Sequence, residues 1–310
     1  MNNITTKQIE LNSNMETNRP YDCVFSLGYR CSSAGILKSL GLKHESYPFD
    51  WMVSRLPIIE DCIATGFVHY LDPANYSCVT GVTNHYTSTN PESRIIICKE
   101  EICFNKYYEK STASNIVKYS GLEEVGIRTN SVELCSKTFG LYLPKPVSSI
   151  RDAYGYRMMM NHHDIKKNRE HQDYFARCVE RWNTLPSKKT LSLYIHPVIF
   201  HEQFISIQTE LLNEIRRVHS SIYAKMRNDG IYIIPVRTQY TDPTNHCCKY
   251  ILEEVPDDES VTGCRICILW ANRDFVDAGE IFMGVSYIET YVIKEYVMKI
   301  VENRNLFPYV

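Results

Sequence analysis

The chain has 310 residues, 44% of them hydrophobic and 23% charged, with a net charge of −2. That length and balance suit one large or two modest domains whose core needs no staples. They lack the basic face that phosphate neutralisation requires, which excludes nucleic-acid binding as the main task. No apolar run approaches the roughly 20 residues of a membrane span.

Residues 1–20 are polar and lack the apolar core of a signal peptide. They read as a loose leader before a single domain over 21–310, in a cytoplasmic protein. Twelve cysteines are scattered through the chain, several inside apolar runs. Without a secretion signal these are reduced, buried thiols acting as small hydrophobes.

Val24 to Leu37 predicts a short buried strand, a turn at Gly28, and a helix with Cys31 in its first turn. Unsatisfied N–H groups and the helix dipole favour a thiolate there, and Arg30 adds positive charge. The helix runs to about Leu40, with Gly41 as its C-terminal cap. Next comes Ser46-Tyr47-Pro48-Phe49-Asp50-Trp51, where two aromatics around one acid predict a packed, extended connection. A lone carboxylate there is costly to desolvate unless paired. Asp50 therefore either accepts backbone N–H groups after Pro48 or serves as a charge partner near Cys31.

Pro57 to Ile63 has helical spacing, with Ser54 as N-cap. Residues 70–89 read as irregular. Arg94–Cys98 and Ile102–Tyr107 read as a hairpin turning at Lys99-Glu100-Glu101. Residues 109–135 give no clear pattern. After a Pro144/Pro146 break and a segment over Tyr154–Met160, the run Asn161-His162-His163-Asp164 precedes a long helix from about Ile165 to Leu185, ended by Pro186. Beyond it the chain alternates. Strands are expected at Leu191–Ile195, Ile231–Val236, Tyr250–Val255 and Arg265–Trp270, and helices at Glu202–Met226 and Tyr287–Val301. The fold class is α+β or α/β, a layered domain with a mixed sheet.

A cysteine nucleophile needs a base, usually histidine, and a group to orient it. Of ten histidines, His162-His163 followed by Asp164 is the densest acid–base cluster. Asp164 also reads as the N-cap of the long helix. His85 is the second candidate base, and His196, before Pro197 at a strand end, is the third. A separate cluster, His246, Cys247, Cys248, Cys264 and Cys267, contains a C-x-x-C of zinc-knuckle spacing. Against that reading, the pair falls in a strand, where residues three apart point to opposite faces. G-x-G-x-x-G, Walker, H-E-x-x-H and G-x-S-x-G patterns are absent.

The run Phe25-Ser26-Leu27-Gly28-x-x-Cys31-x-x-Ala34, then Tyr47-Pro48-Phe49-Asp50-Trp51, resembles the opening of a family of papain-like cysteine peptidases. That family was first grouped as a domain of unknown function, from bacteria and large DNA viruses. Its later H-D pair and Tyr- and Arg-spaced helix match His163-Asp164 and Tyr174, Arg177, Arg181 and Trp182. The resemblance covers about 22–51 and 157–195. It implies a papain-like or related layered fold and a thiol hydrolase acting on a peptide, isopeptide or other acyl bond of a peptide or protein substrate. Cys31 would be the nucleophile and His163 the base, with no cofactor and no metal. The glutamine that papain-like enzymes place before the cysteine is missing. The Cys31 N–H and Ser26 are the candidate oxyanion donors, with Gly28 and Trp51 lining the site. Asp164, Asp50, Asn272 and Asp274 compete for the third role. Two other readings stay open: an inactive binding protein on the same scaffold, and an acyl or glycosyl transferase on an α/β fold.

Overall fold

The computed structural model describes residues 20–28, 31–86, 94–104, 132–134, 159–160, 163, 165–196, 199–238, 250–256, 258, 260–272, 281–282 and 285–302. In chain order the elements are β1 (Cys23–Gly28), α1 (Cys31–Ser39), β2 (Met52–Val53), α2 (Leu56–Ala64), α3 (Val68–Leu71), β3 (Tyr76–Tyr86), β4 (Arg94–Phe104), β5 (Val132–Leu134) and β6 (Met159–Met160). Then come α4 (Arg169–Trp182), β7 (Thr190–Ile195), β8 (Ile199–Phe200), α5 (His201–Met226), β9 (Asp229–Thr238), β10 (Tyr250–Glu254), β11 (Cys264–Asn272), β12 (Ile281–Phe282), β13 (Val285–Ser286) and α6 (Tyr287–Glu302).

The main sheet has the order β1-β7-β9-β11-β10. Its first four strands run parallel and β10 closes the edge antiparallel, so the sheet is mixed. Every residue of β7 is buried, as expected of a parallel strand covered on both faces. On one face Phe25, Leu27, Tyr194, Tyr232 and Ile268 pack with Phe204, Leu211, Ile215 and Ile222 of α5 and Trp182 of α4. On the other, Val24, Leu193, Ile231 and Leu269 pack with Ile36 and Leu37 of α1 and Ile293 and Val297 of α6. The result is a layered α/β domain, helices on both sides of one sheet. No helix among the described residues is long and apolar enough to cross a membrane.

β8 continues the line of β7 along β9. Ile195 pairs with Ile233 and Ile199 with Val236.

Three local expectations are corrected. The expected hairpin at 94–107 is one continuous strand. Lys99, Glu100 and Glu101 pair with Gly81, Thr80 and Val79 of β3, itself a strand where irregular chain was expected. The polar trio contains no Gly, Asn, Asp or Pro to reverse the backbone, so the ladder runs through it. Ser54 does not cap α2. Arg55 holds the cap position in extended conformation without a side-chain bond, followed by a proline in the first turn; Ser54 is used elsewhere. Nor does the long helix begin at residue 165. Asn168 caps α4, its side-chain oxygen accepting the Glu170 and His171 N–H groups at 2.9 and 3.3 Å. The cap therefore falls four residues past Asp164, and Pro186 lies in a separate short turn over Leu185–Ser187. At α1 the expected cap is present. Gly41 has φ +67°, and the Gly41 and Leu42 N–H groups reach Lys38 O and Leu37 O, closing a Schellman motif.

Candidate active site at the end of the first strand

The turn that carries β1 into α1 is laced by three buried serines. Gly28, with φ +95°, donates its N–H to Ser26 Oγ at 3.0 Å. Ser33 Oγ donates to Gly28 O, and Ser54 Oγ donates to Leu27 O at 3.1 Å. All three serines are fully buried, so each hydroxyl is fixed by the turn it holds. Cys31 follows as the first residue of α1, 4% exposed. Its N–H belongs to the helix's opening turn, which lacks intrahelical acceptors.

Ser54 connects this turn to a second sheet, of order β2-β6-β4-β3 with β5 paired to β4. Just before it, Met52 and Val53 of β2 pair with Met160 and Met159 of β6. Three residues beyond β6 stands His163. Backbone pairing thus draws the Cys31, Asp50 and His163 segments together, although 132 residues separate the first and last in sequence.

The His163 ring lies parallel to Tyr174, centroids 4.6 Å apart and planes 8° apart. It meets His171 and Phe175 edge-on at 5.0 and 5.2 Å. All three partners belong to α4, which therefore sets the plane of the imidazole. Tyr174 bonds to Ser46 and Cys178, and its hydroxyl is pushed up by burial, by Cys178 and by the nearby Asp50 charge. Burial also pushes the Cys178 thiol up to about 11, with the Asp50 charge adding to it. Cys178 is thus a packing thiol.

Asp50 is 1% exposed. Its Oδ2 accepts the Tyr47 N–H at 2.7 Å and pairs with Lys43. Oδ1 is buried and has no hydrogen-bond partner among the described residues. Burial pushes the carboxyl up to about 6, against the opposing pull of Lys43 and the Tyr47 N–H. The turn-holding reading of Asp50 matches the Tyr47 N–H bond. One oxygen holds the turn after Tyr47, and the other is buried without a hydrogen-bond partner among the described residues. Trp51 is half-buried.

Trp182 at the end of α4 fixes the relative position of these pieces. It meets Phe25 of β1, Phe49 beside Asp50, and Phe67 edge-on at 5.3, 5.6 and 5.7 Å. Arg181 donates to Ser46 O at 3.1 Å.

His196 lies just past β7. It is 4% exposed, and its backbone N–H donates to Ile233 O at 2.8 Å. His85 lies within β3, at the far edge of the separate sheet of order β2-β6-β4-β3. Asn272 ends β11. His162, Asp164, Asp274, His246, Cys247 and Cys248 lie outside the described residues. Cys264 packs against one core layer and Cys267 sits inside the other, so the C-x-x-C pair straddles the sheet. Among the described residues no group of three or more His, Cys, Asp or Glu side chains could hold a metal ion. A cavity of about 120 Å³ lined by Tyr21, Cys23, Glu45, Tyr47 and Lys188 opens at the start of β1, the opposite end from Cys31.

Sequence reasoning missed Lys43 and the lacing serines Ser33 and Ser54. The signal for Lys43 was a lone cation just past the Gly41 cap. The serines carried no signal, because only the turn's closure engages them.

Residues 22–236 match the family model described as "Putative papain-like cysteine peptidase", and the chain belongs to that family. No curated protein and no solved structure matches it.

Proposed function

We propose that this member of the papain-like cysteine peptidase family is a cytoplasmic thiol hydrolase in which Cys31 attacks the acyl carbon of a peptide, isopeptide or related bond. The observation that carries the reading is the position of Cys31. It is the first residue of a helix that follows directly on the first strand of a parallel sheet, held by a serine-laced glycine turn. Ligands of open α/β sheets bind at the carboxyl ends of the strands, and a helix start favours a thiolate.

In this reading His163 takes the thiol proton and returns it to the leaving amine. Tyr174 fixes the plane of the ring by stacking. Asp50 is the carboxylate of the site, held through one oxygen by Lys43 and the Tyr47 N–H with the second oxygen left over; Asp164, next to the base in sequence, is the alternative for that role. Trp51 lines the substrate side, and Ser26 and Gly28 shape the turn that presents the Cys31 N–H to the oxyanion. The substrate is a peptide or protein, and the chemistry requires no cofactor.

The test is alkylation of Cys31 by iodoacetamide across pH. Burial opposes ionisation and the opening turn of α1 favours it, and the reading requires the second to win. A thiol titrating below the ordinary value of about 8.5, and moving toward it in His163→Ala, supports the pairing. An ordinary titration in both proteins refutes it, and an inactive binding protein becomes the better account.

A further inference from the structure

The cavity at the start of β1 lies at the other end of the strand from Cys31 and takes no part in the site described above. It holds about 120 Å³, somewhat less than the roughly 150 Å³ in which an engineered apolar cavity takes up benzene. Its floor is apolar. Val24, Leu42 and Val301 line it, and all three belong to the core layer on the α1 and α6 side of the sheet.

Most polar groups of the wall are already engaged with the protein. Cys23 Sγ lies 3.0 Å from the Tyr47 hydroxyl, which donates to Glu45 Oε2 at 3.3 Å. Glu45 Oε1 is 3.8 Å from Arg181 Nε. The Tyr21 hydroxyl donates to Asp229 Oδ2 at 2.9 Å, and Asp22 Oδ2 accepts the Lys189 N–H at 2.8 Å. The two side chains left over are both basic. His44 is exposed and Lys188 half-buried, and neither makes a side-chain hydrogen bond or ion pair among the described residues. The backbone under Lys188 is fixed, its N–H donating to Leu185 O at 2.9 Å. Its charge also reaches the wall. Burial pushes the Cys23 thiol up, and the Tyr47 bond and the Lys188 ammonium pull against it.

The complement of such a lining is an anion with a short apolar tail. A carboxylate meets Lys188 in a charge-assisted hydrogen bond, and its alkyl chain leaves water for the apolar floor. Inorganic phosphate would meet the same cation but has no tail to place, and an amine would be repelled by it. We infer that this cavity binds a short-chain monocarboxylate, of about three or four carbons for its volume, with the carboxylate on Lys188 and the chain on Val24, Leu42 and Val301. The inference does not rest on the hydrolase reading. Tyr47 connects the two places, because its hydroxyl lines the cavity while its N–H holds Asp50 Oδ2 at 2.7 Å.

The test is a titration of the protein with propionate, following the methyl resonances of Val24, Leu42 and Val301, with ionic strength held constant by sodium chloride. The three sets of methyls should shift together and saturate, with a dissociation constant on the order of millimolar. Propionamide keeps the chain without the charge, and inorganic phosphate keeps a charge without the chain. Each should bind about tenfold more weakly than propionate. Lys188→Gln should weaken propionate binding about tenfold, whereas Lys188→Arg, which keeps the cation, should stay within about threefold of the parent. Shifts that do not saturate, propionamide or phosphate binding as tightly as propionate, or undiminished binding in Lys188→Gln overturns the inference. The three probes on the parent protein decide it even if a variant does not fold. None of these outcomes bears on the acidity of Cys31, so the hydrolase reading stands or falls separately.

Discussion

Gly28 and Ser54 compete for one space: a Cβ on Gly28 would be driven into the Ser54 hydroxyl. Gly28 also has φ +95°, a conformation that L side chains rarely adopt. The turn that aims Cys31 is therefore specified twice, by backbone freedom and by a buried serine wedged beneath it. Gly28→Ala is expected to cost about 3 kcal/mol, combining strain with overpacking. Ser54→Ala in that background should recover the steric part and leave the φ strain. Urea midpoints of the two single variants and the double variant check this. Purely additive losses would show that the clash is not what Gly28 avoids.

The alternation from β7 to α6 was legible because its signals are local: apolar runs of strand length, helical periodicity, and Pro or Gly at the ends. The same holds for α1, whose glycine cap stands one residue past its last turn. The second sheet was not legible. Its long strand hides behind Lys99-Glu100-Glu101, a trio that looks like a turn by composition, and its partner β3 is rich in Asn and Thr. Of the candidate site, Cys31, Asp50 and His163 are candidates read from residue type and context. Lys43 beside Asp50 and Tyr174 stacked on His163 depend on how the chain folds back on itself, which residue type and spacing do not show. Asn168 outcompeted Asp164 as a cap because its side chain reaches two N–H groups at the true start of α4.

Lys43 and Asp50 form a buried pair, with side chains 6% and 1% exposed. The Asp50 carboxyl is nevertheless pushed up to about 6 from its ordinary 3.8, because burial outweighs the cation. The folded state therefore holds this proton more tightly than the unfolded chain. Its contribution to stability is present below about pH 4 and is lost as pH rises to about 6, on the order of 3 kcal/mol in all. Asp50→Asn should remove that slope while leaving Lys43 buried without a counter-charge. Lys43→Met should move the carboxyl further up. Denaturant unfolding at pH 4, 5, 6 and 7 reads both, and an unchanged slope in Asp50→Asn would assign it to another group.

His219 is buried with both ring nitrogens engaged, Nδ1 to the Tyr232 hydroxyl at 3.1 Å and Nε2 to Thr262 O at 3.0 Å. Nε2 must carry the proton, because a carbonyl can only accept, and Nδ1 then accepts from Tyr232. Burial lowers the ring's pKa from its ordinary 6.5, so the neutral form is the folded one. Its contribution to stability is complete above about pH 6.5 and is lost as pH falls through the lowered folded value. In His219→Gln, thermal midpoints should fall less steeply below pH 6.5 than in the parent. Gly230 belongs to the same contact: a Cβ there would lie 2.8 Å from His219 Nδ1 and 2.7 Å from the Tyr232 ring. Gly230→Ala should therefore destabilise at every pH, in contrast to the pH-dependent effect at His219.

Trp182 supplies the last prediction, because it ties the site's separate segments into one core. It is 4% exposed and meets Phe25 of the first strand, Phe49 of the Asp50 turn and Phe67 edge-on. Removing it leaves a cavity at the junction of three segments, and Trp182→Ala is expected to cost about 3–5 kcal/mol. Trp182→Phe keeps part of the edge-on contacts and should cost less than half of that. The second readout is chemical. Arg181 and Tyr174 on the same helix hold Ser46 and stack on His163, so a shifted α4 moves the imidazole. In Trp182→Phe, at a temperature where the protein stays folded, the iodoacetamide profile of Cys31 should move toward that of His163→Ala. A profile identical to the parent's, alongside a lowered unfolding midpoint, would mean that Trp182 supports the core without setting the position of His163.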